Sequence, residues 1–212
     1  MRPLIEWAAI MQLNIPEGDF AGYIFDLDGT LVNTMPLHYF AWRDTLREFG
    51  LKPVLDEALF YAQGGSPTEK VVQTFNAHYG TSFDPITVRD AKELRFVDML
   101  SEAKLIEPVV AFARARAAEG RPVSVASGGL RHIVRDTLHA HGLAELFPVI
   151  VTADDVAHGK PAPDTFLLAA EKMGVPPEQC LVFEDAALGI RAAEAAGMRW
   201  VEVPPIPLVH TD

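Results

Sequence analysis

In Tyr23-Ile24-Phe25-Asp26-Leu27-Asp28-Gly29-Thr30-Leu31, an apolar run of strand character ends on two aspartates and a glycine. Like charges raise one another's pKa, and a carboxylate taken from water without a partner loses solvation free energy. A chain that folds around such a pair keeps it for a cation, for proton transfer, or for both. At spacing i, i+2 on an extended segment the two side chains face the same side.

Four further short apolar runs read as strands: Pro122–Ala126, Val149–Val151, Leu181–Phe183 and Trp200–Val203. Helical patterns lie before and between them and stop at glycines. Glu107–Glu119 runs into Gly120, Leu130–His141 into Gly142, Asp164–Met173 into Gly174, and Leu188–Ala196 into Gly197. Strands alternating with helices predict an α/β fold with a parallel sheet covered on both faces. Residues 35–104 break the alternation and show helical periodicity only. Leu37, Phe40, Ala41 and Phe49 fit one helix, Val71, Val72 and Phe75 a second, and Val88, Ala91, Val97 and Leu100 a third. This exceeds an ordinary crossover of about a dozen residues. It reads as an inserted helical cap that leaves the sheet just after the two aspartates and lies over them.

The 212 residues suffice for a sizeable core, and 49% hydrophobic with 22% charged residues is an ordinary globular composition. A net charge of −11 argues against a nucleic-acid footprint. The single Cys180 excludes an intramolecular disulfide and suits a reducing compartment. Residues 1–19 read as an N-terminal arm with neither a signal peptide nor a membrane span. The expectation is a cytoplasmic monomer without nucleic-acid or membrane partners.

Three more features fall at predicted strand ends, where ligands bind in open α/β sheets. Ser127-Gly128-Gly129 precedes a helix and offers a hydroxyl and backbone N–H groups to an anion. Lys160 is held between Gly159 and Pro161. Glu184-Asp185 forms a second acidic pair able to complete an oxygen site of the kind magnesium favours. Each has a plainer reading. Ser127 or Asp185 would cap a helix, Lys160 would be a solvated surface lysine, and His38 would be packing or surface. Their conjunction along one sheet is what favours a site.

These residues resemble the haloacid dehalogenase-like phosphatase superfamily: Asp26-Leu27-Asp28-Gly29-Thr30-Leu31, Ser127, Lys160 and Glu184-Asp185 look like its four motifs. Gly159-Lys160-Pro161-Ala162-Pro163-Asp164 is similar to the branch of sugar phosphatases and phosphoglucomutases. Asn33-Thr34-Met35-Pro36-Leu37-His38, Gly65-Ser66-Pro67-Thr68 and Phe183-Glu184-Asp185-Ala186 look most like bacterial fructose-1-phosphate and 6-phosphogluconate phosphatases. The resemblance implies a Rossmann-like core (residues 20–34 and 105–212) with a helical cap (residues 35–104), hydrolysing a phosphorylated sugar or sugar acid.

By that similarity Asp26 is the nucleophile that forms an aspartyl phosphate and Asp28 the general acid and base. Mg2+ is held by Asp26, the backbone carbonyl of Asp28 and Asp185, with Glu184 contributing directly or through its neighbours. Ser127, Gly128 and Lys160 hold the phosphoryl oxygens. His38 matches a histidine at the cap hinge and Lys92 a cap lysine that meets substrate. Asp28 argues against a carbon–halogen substrate, since a halide leaving group needs no proton. The alternatives are a hexose-phosphate mutase, whose cap arginine would fall where this chain has Pro67, and a non-catalytic binding module. Asn33 stands where aspartate is frequent in relatives, and Ala186 where many have serine.

Overall fold

The computed structural model describes residues 11–206, so the first ten residues of the expected arm 1–19, and residues 207–212, lie outside the described residues. Five strands, β1 (Gly22–Phe25), β2 (Val123–Ala126), β3 (Val149–Val151), β4 (Cys180–Glu184) and β5 (Arg199–Glu202), form one sheet in the order β3-β2-β1-β4-β5. Every pairing is parallel. Side chains alternate between the faces, as a strand buried on both sides requires. Tyr23, Phe25, Val123, Val125, Leu181 and Phe183 enter one apolar cluster, whereas Ile24, Ala126 and Val182 enter the other.

Helices α5 (Glu107–Ala118) and α6 (Arg131–Ala140) cover the first face through Val109, Val110, Ala113, Ile133, Val134 and Leu138. Helices α7 (Asp164–Met173) and α8 (Ala187–Ala195) cover the second with Phe166, Ala169, Ala170, Ala192 and Ala193. The glycine predicted to end each of these helices has φ between 65° and 75°, a region that side chains disfavour. From β1 the chain builds outward to β2 and β3 on one side, then crosses to β4 and β5 on the other. The carboxyl ends of β1 and β4 thereby become neighbours at the switch in strand order, where α/β sheets place ligands. Phe25 pairs with Phe183, and Asp26 N donates to the Phe183 carbonyl at 2.9 Å.

Between β1 and β2 lie α1 (Met35–Glu48), α2 (Glu57–Tyr61), α3 (Thr68–Tyr79) and α4 (Pro85–Met99). Tyr39, Trp42, Leu46, Leu55, Phe60, Val72, Phe75 and Val88 give this helical insert an apolar cluster of its own. Its two connections run side by side: Val32 bridges Leu105, Asn33 N donates to Lys104 O at 2.8 Å, and Ile106 N to Leu31 O at 2.9 Å.

Two expectations about the insert need correction. In α1, Leu37 and Ala41 are buried, but Phe40 is only half-buried and Phe49 falls beyond the helix end, while Tyr39, Trp42 and Leu46 fill the interior. The buried face of α4 is Val88, Lys92, Glu93 and Phe96, whereas Ala91 and Val97 are only half-buried. Lys92 and Glu93 are charged residues on this buried face. They point inward because they pair with each other and with groups on α1 and α3, and because a lysine stem is itself apolar. Helix α2 went unread. It is a single short turn set by Asp56, whose side chain accepts from Leu59 N at 2.7 Å.

Candidate active site

Asp26 leaves β1 almost fully buried, with 5% of its surface exposed. Its Oδ1 accepts a hydrogen bond from Lys160 Nζ at 2.5 Å, and the same ammonium donates to Glu184 Oε2 at 2.7 Å. The other oxygen of Glu184 accepts from Asp185 N (3.1 Å) and Ala186 N (2.9 Å). Asp185 Oδ1 accepts from the Thr30 hydroxyl at 3.1 Å. Backbone approaches this cluster so closely that two positions require glycine. A Cβ on Gly189 would sit 1.9 Å from Glu184 Oε2. A Cβ on Gly29, which also has φ +83°, would sit 2.2 Å from Asp185 Oδ2.

Burial pushes the Asp26 carboxyl well above its ordinary range and the Glu184 charge adds to this, against the opposing pull of Lys160. Asp185 is raised in the same way by burial and by the charges of Glu184 and Asp26. Burial disfavours the Lys160 ammonium, but Asp26 and Glu184 outweigh it and raise its pKa. One ammonium thus faces three carboxylates, and the pocket is short of positive charge. Asp26, Glu184 and Asp185 each offer an oxygen within 4.8 Å of the others, a donor set suited to a hard divalent cation. Among the described residues no hydrogen bond reaches Asp26 Oδ2 or Asp185 Oδ2, whereas both oxygens of Glu184 are occupied.

Asp28 is held from the insert side. The Thr34 hydroxyl donates to Asp28 Oδ1 at 2.6 Å, and His38 Nε2 lies 3.2 Å from the same oxygen. His38 Nδ1 is 2.8 Å from Lys92 Nζ, so the lysine donates to Nδ1 and the ring carries its proton on Nε2, toward Asp28. The ring stacks on Phe96 at 3.8 Å. Burial and the Lys92 charge lower the His38 pKa and favour the neutral imidazole. Burial pushes Asp28 up, but the His38 contact, the Thr34 hydroxyl and Lys92 together leave its carboxyl below the usual range.

The chain matches the haloacid dehalogenase-like hydrolase family over residues 20–197. It belongs to that family. It is 41% identical over 185 residues to fructose-1-phosphate phosphatase YqaB of Escherichia coli, covering 87% of this chain and 96% of that one. It is 31% identical to validoxylamine A 7'-phosphate phosphatase of Streptomyces hygroscopicus, covering 82% and 81%. Crystal structures of CbbY from Rhodobacter sphaeroides, one with phosphate and a mutant with xylulose-(1,5)bisphosphate, superpose with a TM-score of 0.79 at 27% identity over 88% of this chain and 87% of CbbY. These relatives agree with the expected enzyme class, a phosphoric monoester hydrolase of the haloacid dehalogenase-like kind.

Asp26, Asp28, His38, Lys92, Ser127, Gly128, Glu184 and Asp185 line one cleft. Lys160 lies beneath it, 2% exposed and reached through Asp26 and Glu184, so the reading as a surface lysine fails. The helix-capping readings fail too. Helix α6 is preceded by Leu130 and α8 by Ala186, neither with a side-chain cap bond. Ser127 instead accepts from Gly129 N at 3.0 Å, which leaves its hydroxyl proton free for another acceptor.

Thr30 and Thr34 were quoted in the motifs but given no role. Thr34 stands at the N-terminus of α1, yet its hydroxyl makes no cap bond and turns to Asp28. Trp42, Gln63, Ser66, Thr68 and Glu93 also line the cleft. Only the fold brings these residues over the carboxyl end of the sheet.

Proposed function

We propose that this chain is a magnesium-dependent phosphatase that hydrolyses small phosphorylated sugars or sugar acids through an aspartyl-phosphate intermediate. The observation that carries the reading is the pairing of Asp26 on Lys160 with Asp28 on Thr34 and His38 inside one cleft. Two carboxylates in such different surroundings suit different tasks.

Asp26 Oδ2, free of hydrogen bonds, attacks phosphorus as the bond to the sugar oxygen breaks, and Asp28 gives that oxygen its proton. Water then attacks phosphorus, Asp28 takes a proton from it, and the bond to Asp26 breaks to release inorganic phosphate. The surroundings of Asp28 favour its carboxylate, the form required in the second half. The arriving phosphoryl dianion raises its pKa and supplies the protonated form for the first. Such proton transfers contribute about 10²–10⁴-fold. The Ser127 hydroxyl and Gly128 N hold phosphoryl oxygens, while Lys160 offsets repulsion between Asp26 and the dianion. Asp26, Asp185 and the Asp28 carbonyl would hold magnesium, whose charge offsets both the carboxylates and the phosphate. Glu184 serves by fixing Lys160 and the Asp185 backbone. The helical insert, residues 35–104, acts as the cap that excludes water.

Hydrolysis is favoured over phosphoryl return to a second hydroxyl because no arginine among the described residues lines the cleft and Pro67 stands where a mutase has its arginine. A binding module without turnover would not need Asp28 held as it is. A phosphate-release screen over sugar phosphates with magnesium, on wild type and Asp26→Asn, tests the reading. Release by wild type and its loss in the variant are expected. No release from any ester overturns it.

A further inference from the structure

Among the described residues Glu93 is the one cleft-lining acid outside the Asp26, Asp28, Glu184 and Asp185 cluster. It is 7% exposed, and Oε1 takes both of its hydrogen bonds, from Thr68 Oγ1 and Lys92 Nζ, each at 3.2 Å. Oε2 is buried and has no hydrogen-bond partner. A buried carboxylate oxygen without a donor is unfavourable. If Glu93 served only to neutralise Lys92, one oxygen would be enough and the other would still lack a donor. Gln63, Ser66 and Thr68 of the insert add uncharged polar groups to the cleft, with Trp42 and Phe60 as apolar walls. Among the described residues Lys92 is the only lysine or arginine in the lining, and its ammonium is already engaged by His38 and Glu93.

We propose that Glu93 is a specificity-determining residue: its carboxylate accepts hydrogen bonds from hydroxyls on the part of the substrate remote from the phosphate. The preferred esters therefore carry an uncharged, hydroxyl-bearing tail rather than a carboxylate or a second phosphate. The inference rests on the phosphatase reading above and narrows it. Rotation about the terminal torsion of a glutamate is soft. One oxygen can therefore turn to a substrate hydroxyl while the other keeps Thr68 and Lys92. A hydroxyl supplies the missing donor. A carboxylate or phosphate supplies none and meets a like charge, the repulsive element on which discrimination often depends.

The test compares two six-carbon monophosphates that differ at one end, glucitol 6-phosphate with a terminal alcohol and gluconate 6-phosphate with a terminal carboxylate. Values of kcat/KM are measured with magnesium on the full chain, in wild type and in Glu93→Gln, which keeps the shape and removes the charge. Wild type is expected to favour the alcohol by about tenfold or more, with Glu93→Gln reducing that ratio by about tenfold, mostly through KM. Equal use of both esters, preference for the acid, or an unchanged ratio in the variant overturns the inference while leaving the phosphatase reading standing. Absence of phosphate release from these and all other esters overturns the phosphatase reading itself. Should the variant fail to fold by circular dichroism, the wild-type preference alone decides.

Discussion

Replacing Lys160 with methionine keeps the unbranched apolar stem, ends it one atom short of the ammonium, and removes the charge from between two buried carboxylates. At 2.5 Å from Asp26 and 2.7 Å from Glu184, each contact is worth about 6–7 kcal/mol of gross Coulomb energy at an effective dielectric of ~20. Most of that repays the desolvation of the ions, and removing one partner of a buried pair has a net cost of about 3–5 kcal/mol. Lys160→Met strands two carboxylates beside a third, Asp185, which puts the loss toward the upper end. Urea unfolding followed by circular dichroism, in chelator, should show that deficit. Saturating magnesium should narrow it, because a cation held by Asp26 and Asp185 supplies part of the missing charge. A variant within about 1 kcal/mol of wild type in chelator would refute the reasoning, since a buried uncompensated pair has to cost more than that.

Gly189→Ala drives a methyl group into Glu184; a loss of about 1–3 kcal/mol in chemical denaturation is expected from the overpacking, together with a fall in kcat as Glu184 releases Lys160. Wild-type stability and turnover would contradict the packing. Thr34→Val removes the hydroxyl that donates to Asp28; the Asp28 pKa rises, so the pH–rate profile moves to higher pH at near-normal stability, and an unmoved profile counts against the role of Asp28. Asp155 is pushed up by burial, but hydrogen bonds from Arg131 and Thr152 bring it down to about 2 from 3.8. A depressed pKa contributes stability above the unfolded value, which fades as pH falls from about 4 toward 2. The full shift corresponds to about 2 kcal/mol, and screening around the partly exposed Arg131 reduces it to roughly 1. Asp155→Asn should lose that amount at pH 7, with the gap closing toward pH 3, and a gap independent of pH would rule the linkage out.

The sheet was legible in the sequence because a parallel strand buried on both faces leaves a short apolar run, and the runs ending at Phe25, Ala126 and Phe183 lead straight into Asp26, Ser127 and Glu184. Asp26, Ser127 and Glu184 could be placed near one another on that ground alone. What the sequence hid was the direction of polar side chains. Lys160 looks like a loop lysine until β1 and β4 become neighbours and two carboxylates enclose its ammonium. Lys92 and Glu93 break the apolar stripe of α4, and only the fold shows that their partners, His38 on α1 and Thr68 on α3, make burial tolerable. Thr34 occupies the N-cap position of α1, but its hydroxyl goes to the carboxylate of Asp28, which local sequence does not reveal. Such pairings depend on long-range contacts, which periodicity does not encode.

The central claim is that Asp26 takes the phosphoryl group. A crystal structure of the protein grown with magnesium and beryllium trifluoride, a mimic of a carboxyl-bound phosphoryl group, tests it most directly. Beryllium bonded to Asp26, fluorines within hydrogen-bond reach of Ser127 and Lys160, and a metal ion on Asp185 are the predicted result. Fluoroberyllate bound away from Asp26, or a metal ion there with no fluoride in line with its carboxylate, would contradict the account.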